Sequence, residues 1–305
     1  MNPWRRPAVK WLIAALMLLA LAWWVHDSIG WITLLRPWLA FPPGELLLLV
    51  ILTALSYLTR AARLYDLYSP RLPAPFPLYL RINVLHTTVL NLLPMRTGEA
   101  AFPLMMKRHF SERYASSIAN LLWLRVADFW ILLWLGLLVY AVHGPALLWV
   151  PVALGLIAPL LLQPLRAKIM SATMGRENRL AGLLRILVGG LPQQFTRYLR
   201  LLLWTVLTWS LKLAAFVSVA GYFVDASMST LVPGIIAAEI SNALPIQGVA
   251  GFGNYEAAMV LGGSLSALPA EALLAAAVNL HLFILACTLI FGALALLIPV
   301  KRSGA

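Results

Sequence analysis

Six apolar stretches punctuate this chain: Trp11–Val25, Leu46–Leu58, Ala115–Val142, Ala146–Leu162, Leu201–Val224 and Ala272–Val300. A helix crossing the hydrocarbon core of a bilayer needs roughly 17–25 mostly apolar residues, and these runs approach or exceed that length. Two further segments, Phe76–Lys107 and Ser229–Ser264, are apolar but interrupted, and the interruption repeats. The first reads Asn91-Leu92-Leu93-Pro94, then Gly98-Glu99-Ala100-Ala101; the second reads Asn242-Ala243-Leu244-Pro245, then Gly253-Asn254-Tyr255-Glu256-Ala257-Ala258. Proline breaks the helical hydrogen-bond ladder, and glycine lets the backbone turn where other residues strain. Such broken backbone survives at membrane depth only where protein or a water-filled cavity shields it. Breaks in corresponding positions of two halves point to the binding site of a transporter.

Composition agrees with the pattern. Hydrophobic residues make up 62% of the 305 and charged residues 11%, with a mean hydropathy of +0.86. Soluble domains run at about 25% charged. The expectation is one membrane domain over residues 1–305, with no room for a separate soluble one. Arg5, Arg6 and Lys10 precede the first run as they would in a signal peptide. No small-x-small cleavage site follows Val25, however, and Trp23 and Trp24 suit interfacial anchors, so a retained helix is expected. The single Cys287 lies in the last run and reads as a small buried apolar residue.

The net charge of +12 is a topology signal rather than a nucleic-acid footprint. Most cations cluster at Arg5/Arg6/Lys10, Arg60/Arg63/Arg71, Lys107/Arg108/Arg113, Arg166 to Arg200, and Lys301/Arg302, positions the positive-inside rule assigns to cytoplasmic loops and ends. If Phe76–Lys107 crossed once, Lys107, Arg108 and Arg113 would lie outside, and so would the cations from Arg166 to Arg200. It is therefore expected to dip in, break and return. By the same logic Ser229–Ser264 dips in from the opposite face, leaving Arg36 as the one outer cation against Asp27, Glu45, Asp225 and Glu271. The predicted fold is all-α and integral to the membrane: six spanning helices plus two re-entrant helical hairpins in an inverted-topology repeat. The halves are approximately 1–143 and 144–305, both termini are cytoplasmic, and the setting is the bacterial inner membrane. Arg179–Arg197 reads either as an amphipathic surface helix, with Leu183, Leu184, Ile186 and Leu187 on its apolar side, or as a plain linker.

Setting loop charges aside leaves Arg81, Arg96, Arg125 and Lys212 against Glu99, Asp128, Glu239 and Glu256 at membrane depth. Such residues face an interior and pair. Arg125 and Asp128, at i and i+3, suit a self-neutralising pair, structural or functional. Glu99 and Glu256 are each expected to begin a half-helix, either as capping carboxylates with Thr97 and Asn254 as N-caps, or as parts of a site. Two helix starts with free N–H groups beside Arg96, Arg125, Arg81 and Lys212 suit an anionic headgroup, above all a phosphate. The glutamates would then meet an amine or carry coupling protons. The candidate substrate-binding residues are Asn91, Pro94, Arg96, Gly98, Glu99, Arg125, Asp128, Asn242, Pro245, Gly253 and Glu256. His86, Asn279 and His281 read as hydrogen-bonded packing residues, with a proton relay as the alternative for the histidines. The sequence carries no zinc-ligand spacing, P-loop, nucleophile elbow or dinucleotide loop, so no catalytic residue, metal or cofactor is expected.

Three of these segments resemble a known family. Asn91-Leu92-Leu93-Pro94-Met95-Arg96-Thr97-Gly98-Glu99, Arg125-Val126-Ala127-Asp128, and the stretch from Leu244 to Glu256 are similar, in that order, to motifs of the lysylphosphatidylglycerol synthase transmembrane, or flippase-like, family. The similarity spans most of residues 10–300. The third motif departs from the family's Pro-Gly-Gly-x-Gly turn, carrying Gln247-Gly248-Val249-Ala250 instead. The resemblance implies a transporter, not an enzyme, moving a polar and anionic lipid between leaflets: a phospholipid, an aminoacyl-phospholipid or a polyprenyl-phosphate-linked lipid. Full-length synthases add a soluble aminoacyl-transfer domain. This sequence stops at Ala305, so translocation without the synthase reaction is expected. With no ATP site, movement would be downhill or ion-coupled. The competing class is a non-transporting accessory or scaffold subunit of a membrane glycosyltransferase or lipid synthase. A membrane enzyme acting on lipid phosphate would need a nucleophile or metal motif that is missing here.

Overall fold

An apolar chain in lipid satisfies its backbone by coiling on itself, and every apolar run above does so. The computed structural model describes residues 7–176, 178–242, 247–264 and 268–299, which hold helices and their connections and, among the described residues, no strand. In order they are α1 (Pro7–Ser28), α2 (Trp31–Leu35), α3 (Pro43–Tyr68), α4 (Phe76–Leu92), α5 (Ala101–Phe110), α6 (Tyr114–His143), α7 (Trp149–Ile157), α8 (Leu162–Thr173), α9 (Arg179–Gly189), α10 (Phe195–Phe223), α11 (Met228–Ser241), α12 (Asn254–Gly263) and α13 (Ala270–Leu296). Five stretches are long and apolar enough to cross a membrane: Pro43–Tyr68, Tyr114–Val142, Ala146–Thr173, Phe195–Phe223 and Ala270–Leu296. A sixth arises if Leu12–Ser28 and Trp31–Ala40 count as one span, although they meet at a bend of 94°. Gly30, at φ +82°, supplies that bend: its N–H closes on the Val25 carbonyl at 2.9 Å, and few other residues adopt this conformation without strain.

Two expected boundaries move. α3 runs ten residues past Leu58, so Arg60 and Arg63 are helical rather than loop residues, and Arg63 is only 3% exposed. α9 stops at Gly189 instead of reaching Arg197, because Gly189-Gly190-Leu191-Pro192 cannot continue a helix cheaply. α9 buries Ala181 and Val188 and turns Leu180, Leu183 and Ile186 outward.

The chain packs as two compact units, each assembled from separated segments. One holds residues 58–83 and 100–209. Within it α3 runs antiparallel to α6, with Arg63 on Asp128 and Tyr68 on Asn120. α6 runs antiparallel to α7, where the Trp130 and Trp134 indoles donate to the carbonyls of Gly155 and Val152. The start of α6 packs on the end of α9, where a Cβ on Gly190 would meet the Ala119 carbonyl carbon at 2.8 Å. Leu64, Tyr68, Tyr79, Phe102, Met106 and Leu124 fill the core. Asp66 pairs with Arg200 at 2.9 Å, the Tyr79 hydroxyl donates to the Leu72 carbonyl, and the Tyr79 ring stacks on Phe110. These contacts bring the cation-bearing stretches 60–71, 107–113 and 166–200 to one end of this unit.

The other unit comprises residues up to 57, 84–99 and 210–298. Its α11 and α12 form an antiparallel helical pair: Ser241 faces Asn254, Glu239 faces Tyr255, and Gly234 faces Met259. α12 also lies against α13, and α1 packs on Val249–Gly251. Leu21, Val25, Leu34, Leu274 and Val278 form a buried cluster here. Small residues let α11 and α12 approach closely, as in membrane helix pairs generally. A Cβ on Gly262 would lie 2.4 Å from the Ala237 Cβ and 3.0 Å from the Pro233 carbonyl oxygen. Gly262→Ala is therefore expected to destabilise the protein by about 1–3 kcal/mol, lowering its thermal midpoint in detergent. Gly182→Ala, at a helix position with open space around it, should leave the midpoint unchanged or raise it.

Candidate functional site at the two chain breaks

α4 ends at Leu92, and Pro94–Ala100 form a 3-10 turn in which Met95 and Arg96 take left-handed backbone angles, φ 54° and 53°. Each such residue costs on the order of 1–3 kcal/mol, and strain of this kind persists where its surroundings fix it. Gly98 is fixed by packing: a Cβ there would fall 2.6 Å from the Leu90 Cα and the Val89 carbonyl oxygen. Pro94 is buried in the same turn. Thr97 does not cap the following helix, contrary to expectation. Its hydroxyl donates back to the Pro94 carbonyl at 2.8 Å, and α5 starts at Ala101 with Ala100 at its N-cap. Glu99 consequently precedes the helix instead of beginning it. Its carboxylate accepts from the Arg96 guanidinium and lies 3.7 Å from His86 Nε2. Upstream, the Asn91 side-chain amide donates to Thr288 Oγ1 of α13 at 3.0 Å.

The second break follows Ser241. Asn242 is described, whereas Pro245, with Ala243, Leu244 and Ile246, lies outside the described residues. Beyond it, Ala250 takes φ 54°, Gly251 84° and Gly253 94°. α12 begins at Asn254 with Gly253 as its N-cap, so Asn254 is not the cap expected of it. Glu256 does the capping from three residues on, accepting the Gly253 N–H at 2.7 Å as the acidic member of a capping box does. Its other oxygen lies 2.6 Å from His281 Nδ1, and His281 Nε2 faces the Ala250 carbonyl at 2.9 Å. A carbonyl only accepts, so Nε2 carries a hydrogen, and one further proton must sit between Nδ1 and the carboxylate. Both groups are buried, Glu256 completely.

One side chain joins the two breaks. The Arg96 guanidinium donates to Glu99 through one terminal nitrogen and to the Asn242 carbonyl through the other. The Gln247 amide donates to the same carbonyl at 2.6 Å. A guanidinium has five N–H donors, and these bonds use two of Arg96's. The structure thus gathers Asn91, Pro94, Arg96, Gly98, Glu99, Asn242, Gly253 and Glu256 into one unit.

Arg125 and Asp128 belong to the other unit, where the expected i, i+3 pair forms at 3.8 Å but is not the closest that Asp128 makes. Asp128 is held by Arg63, whose two terminal nitrogens lie 2.7 and 3.3 Å from its two oxygens, and by the Trp209 indole at 3.0 Å. Arg63 also donates to Thr205 at 2.9 Å. Arg125 comes no closer than 3.8 Å. A planar fork arriving from a facing helix matches both carboxylate oxygens, whereas a side chain one turn earlier on the same helix meets them obliquely. Lys212 and Glu239 pair at 2.6 Å, with the Tyr255 hydroxyl also reaching Glu239. Sequence reasoning missed Arg63 and His281 as partners. Continuing the α3 pattern past Leu58 would have found the first; nothing in the sequence signals the second.

Removing one member of a buried pair strands the other's charge, at a cost of about 3–5 kcal/mol. Arg63→Met is expected to lower the thermal midpoint strongly, and Arg63→Met with Asp128→Leu to recover most of the loss. Arg125→Ala should change it little. An equal effect of Arg125→Ala and Arg63→Met would make Arg125 as strong a partner of Asp128 as Arg63.

No curated protein matches the chain. The family model described as the lysylphosphatidylglycerol synthase TM region matches residues 11–292, nearly the whole described span. The chain therefore belongs to the lysylphosphatidylglycerol synthase transmembrane-region family.

Proposed function

We propose that this protein moves a polar lipid with an anionic, phosphate-bearing headgroup between leaflets of the bacterial inner membrane, without catalysing a reaction on it. Family membership supports a membrane function connected with lipids. The observation that carries the finer reading is Arg96 itself. It sits on strained backbone at one break, bonds the backbone of the other, and among the described residues uses two of its five N–H donors. A planar guanidinium with free donors matches phosphate oxygens in a way an ammonium does not.

The same reading takes both broken segments as re-entrant hairpins of an inverted repeat. α4 and α5 have 17 and 10 residues, and α11 and α12 have 14 and 10, so the second member of each pair is too short to cross a bilayer alone. Tyr79 on Phe110, and Gly234 against Met259, are the contacts expected where a chain returns to the face it entered. Both termini then lie in the cytoplasm. The proton between Glu256 and His281 offers a candidate coupling site.

The test is reconstitution into liposomes carrying a fluorescent anionic phospholipid, with exposure of the label to an impermeant quencher as the readout. Wild-type protein should equilibrate the label between leaflets. Losing a charge-assisted bond is worth roughly 1.5–3 kcal/mol, so Arg96→Ala should slow transport about ten- to a hundredfold, and Arg96→Lys should fall between. Arg96→Ala with Glu99→Ala should stay slow. Recovery in that double variant would make Arg96 a mere counter-ion to Glu99. A second reading, an accessory scaffold, is favoured by the mutual neutralisation of Arg96 with Glu99 and of Glu256 with His281. Wild-type liposomes that move no lipid would support it.

A further inference from the structure

At the cation-rich end of the unit formed by residues 58–83 and 100–209 lies a cavity of about 250 Å3 that no residue of the chain breaks lines. Arg63, Arg71 and Arg197 line it, with Gln193 and Gln194 between them and Leu67 and Leu201 on its apolar side. Asp66 is its one acidic lining residue and is already engaged by Arg200 at 2.9 Å. Asp128, behind the lining, is engaged by Arg63. Three lining arginines thus stand against one lining carboxylate, and the excess is positive.

Three features make this a built site rather than a charged surface. Arg63 is 3% exposed; its terminal nitrogens are occupied by Asp128 and Thr205, but its Nε finds no partner among the described residues, and a buried donor left unsatisfied is costly. α10, 29 residues long, begins at Phe195 beside the cavity, and its first internal bond from this edge is Tyr198 N–H to the Gln194 carbonyl. The positive end of that helix therefore adds its field and its leading amides. Arg71 is held in place by its own stem, with its guanidinium 5.6 Å from the centre of the Tyr68 ring.

We propose that this cavity binds a phosphate group, carried by a lipid headgroup or by a small soluble phosphate, at a site separate from the two breaks. Arg71 and Arg197 supply the forks, and the helix start supplies a fixed dipole. Binding here stands on its own whether or not the protein transports lipid.

The experiment uses the full chain in neutral detergent and reads the rise in thermal midpoint on titration with inorganic phosphate, or with short-chain phosphatidylglycerol against short-chain phosphatidylcholine. Arg71→Ala with Arg197→Ala should weaken binding of the effective ligand at least tenfold. Gln194→Glu, a charge added at an exposed rim position, should weaken it similarly should the arginine variant fold poorly. Arg36→Ala, remote in sequence and exposed, should leave binding unchanged. A response to phosphatidylglycerol alone assigns a lipid headgroup; a response to both, with competition, assigns the phosphate group in general. No response to either ligand, or equal responses in wild type and the Arg71/Arg197 variant, overturns the proposal.

Discussion

Hydrocarbon offers a polar group no partner, so a chain this apolar must close every charge and every broken turn within itself. That constraint organises the structure. Arg63 and Asp128 face each other across α3 and α6, Lys212 and Glu239 across α10 and α11, and Glu256 and His281 across α12 and α13. The break after Ser241 leaves backbone that cannot be satisfied by helix, and the Asn242 carbonyl is satisfied instead by Arg96 and Gln247. Each of these side chains is costly alone and tolerable together with its partner.

The same constraint explains what the sequence reveals. Apolar runs long enough to cross a bilayer have one low-energy conformation there, and each became helical, although Leu46–Leu58 extended to Tyr68 and Ala146–Leu162 was divided between α7 and α8. The breaks were equally legible, because Pro94 interrupts the helical ladder and the glycines at 98, 251 and 253 admit the turns and close packing that follow. Partnerships were not. Asp128 has Arg125 one turn away and Arg63 sixty-five residues away, and only the antiparallel packing of α3 on α6 decides for Arg63. Capping was misjudged for a related reason. Thr97 and Asn254 have the right chemistry, but the turn at Met95 and Arg96 moves the start of α5 past Thr97, while Gly253 takes the cap position one residue ahead of Asn254. The bend after α1 rests on Gly30, which composition alone cannot separate from an ordinary helix end.

Two features concentrate positive charge: the Arg96 junction in one unit and the arginine-lined cavity in the other. Strained backbone and spare donors at the first suit a ligand that arrives and leaves. A pocket with an unmatched buried donor at the second suits one that is held. The transport reading rests on the chain reversing at its breaks, since a single crossing through Phe76–Lys107 would put Lys107, Arg108 and Arg113 on the outer face.

That reversal is tested most directly by labelling single cysteines with a membrane-impermeant maleimide, in protein whose buried Cys287 has been replaced by serine. The account predicts that Lys107→Cys and Ser171→Cys react only from the cytoplasmic face and Gly144→Cys only from the opposite one. Reaction of the Lys107→Cys protein from outside would mean that the first broken segment crosses the membrane, and would contradict it.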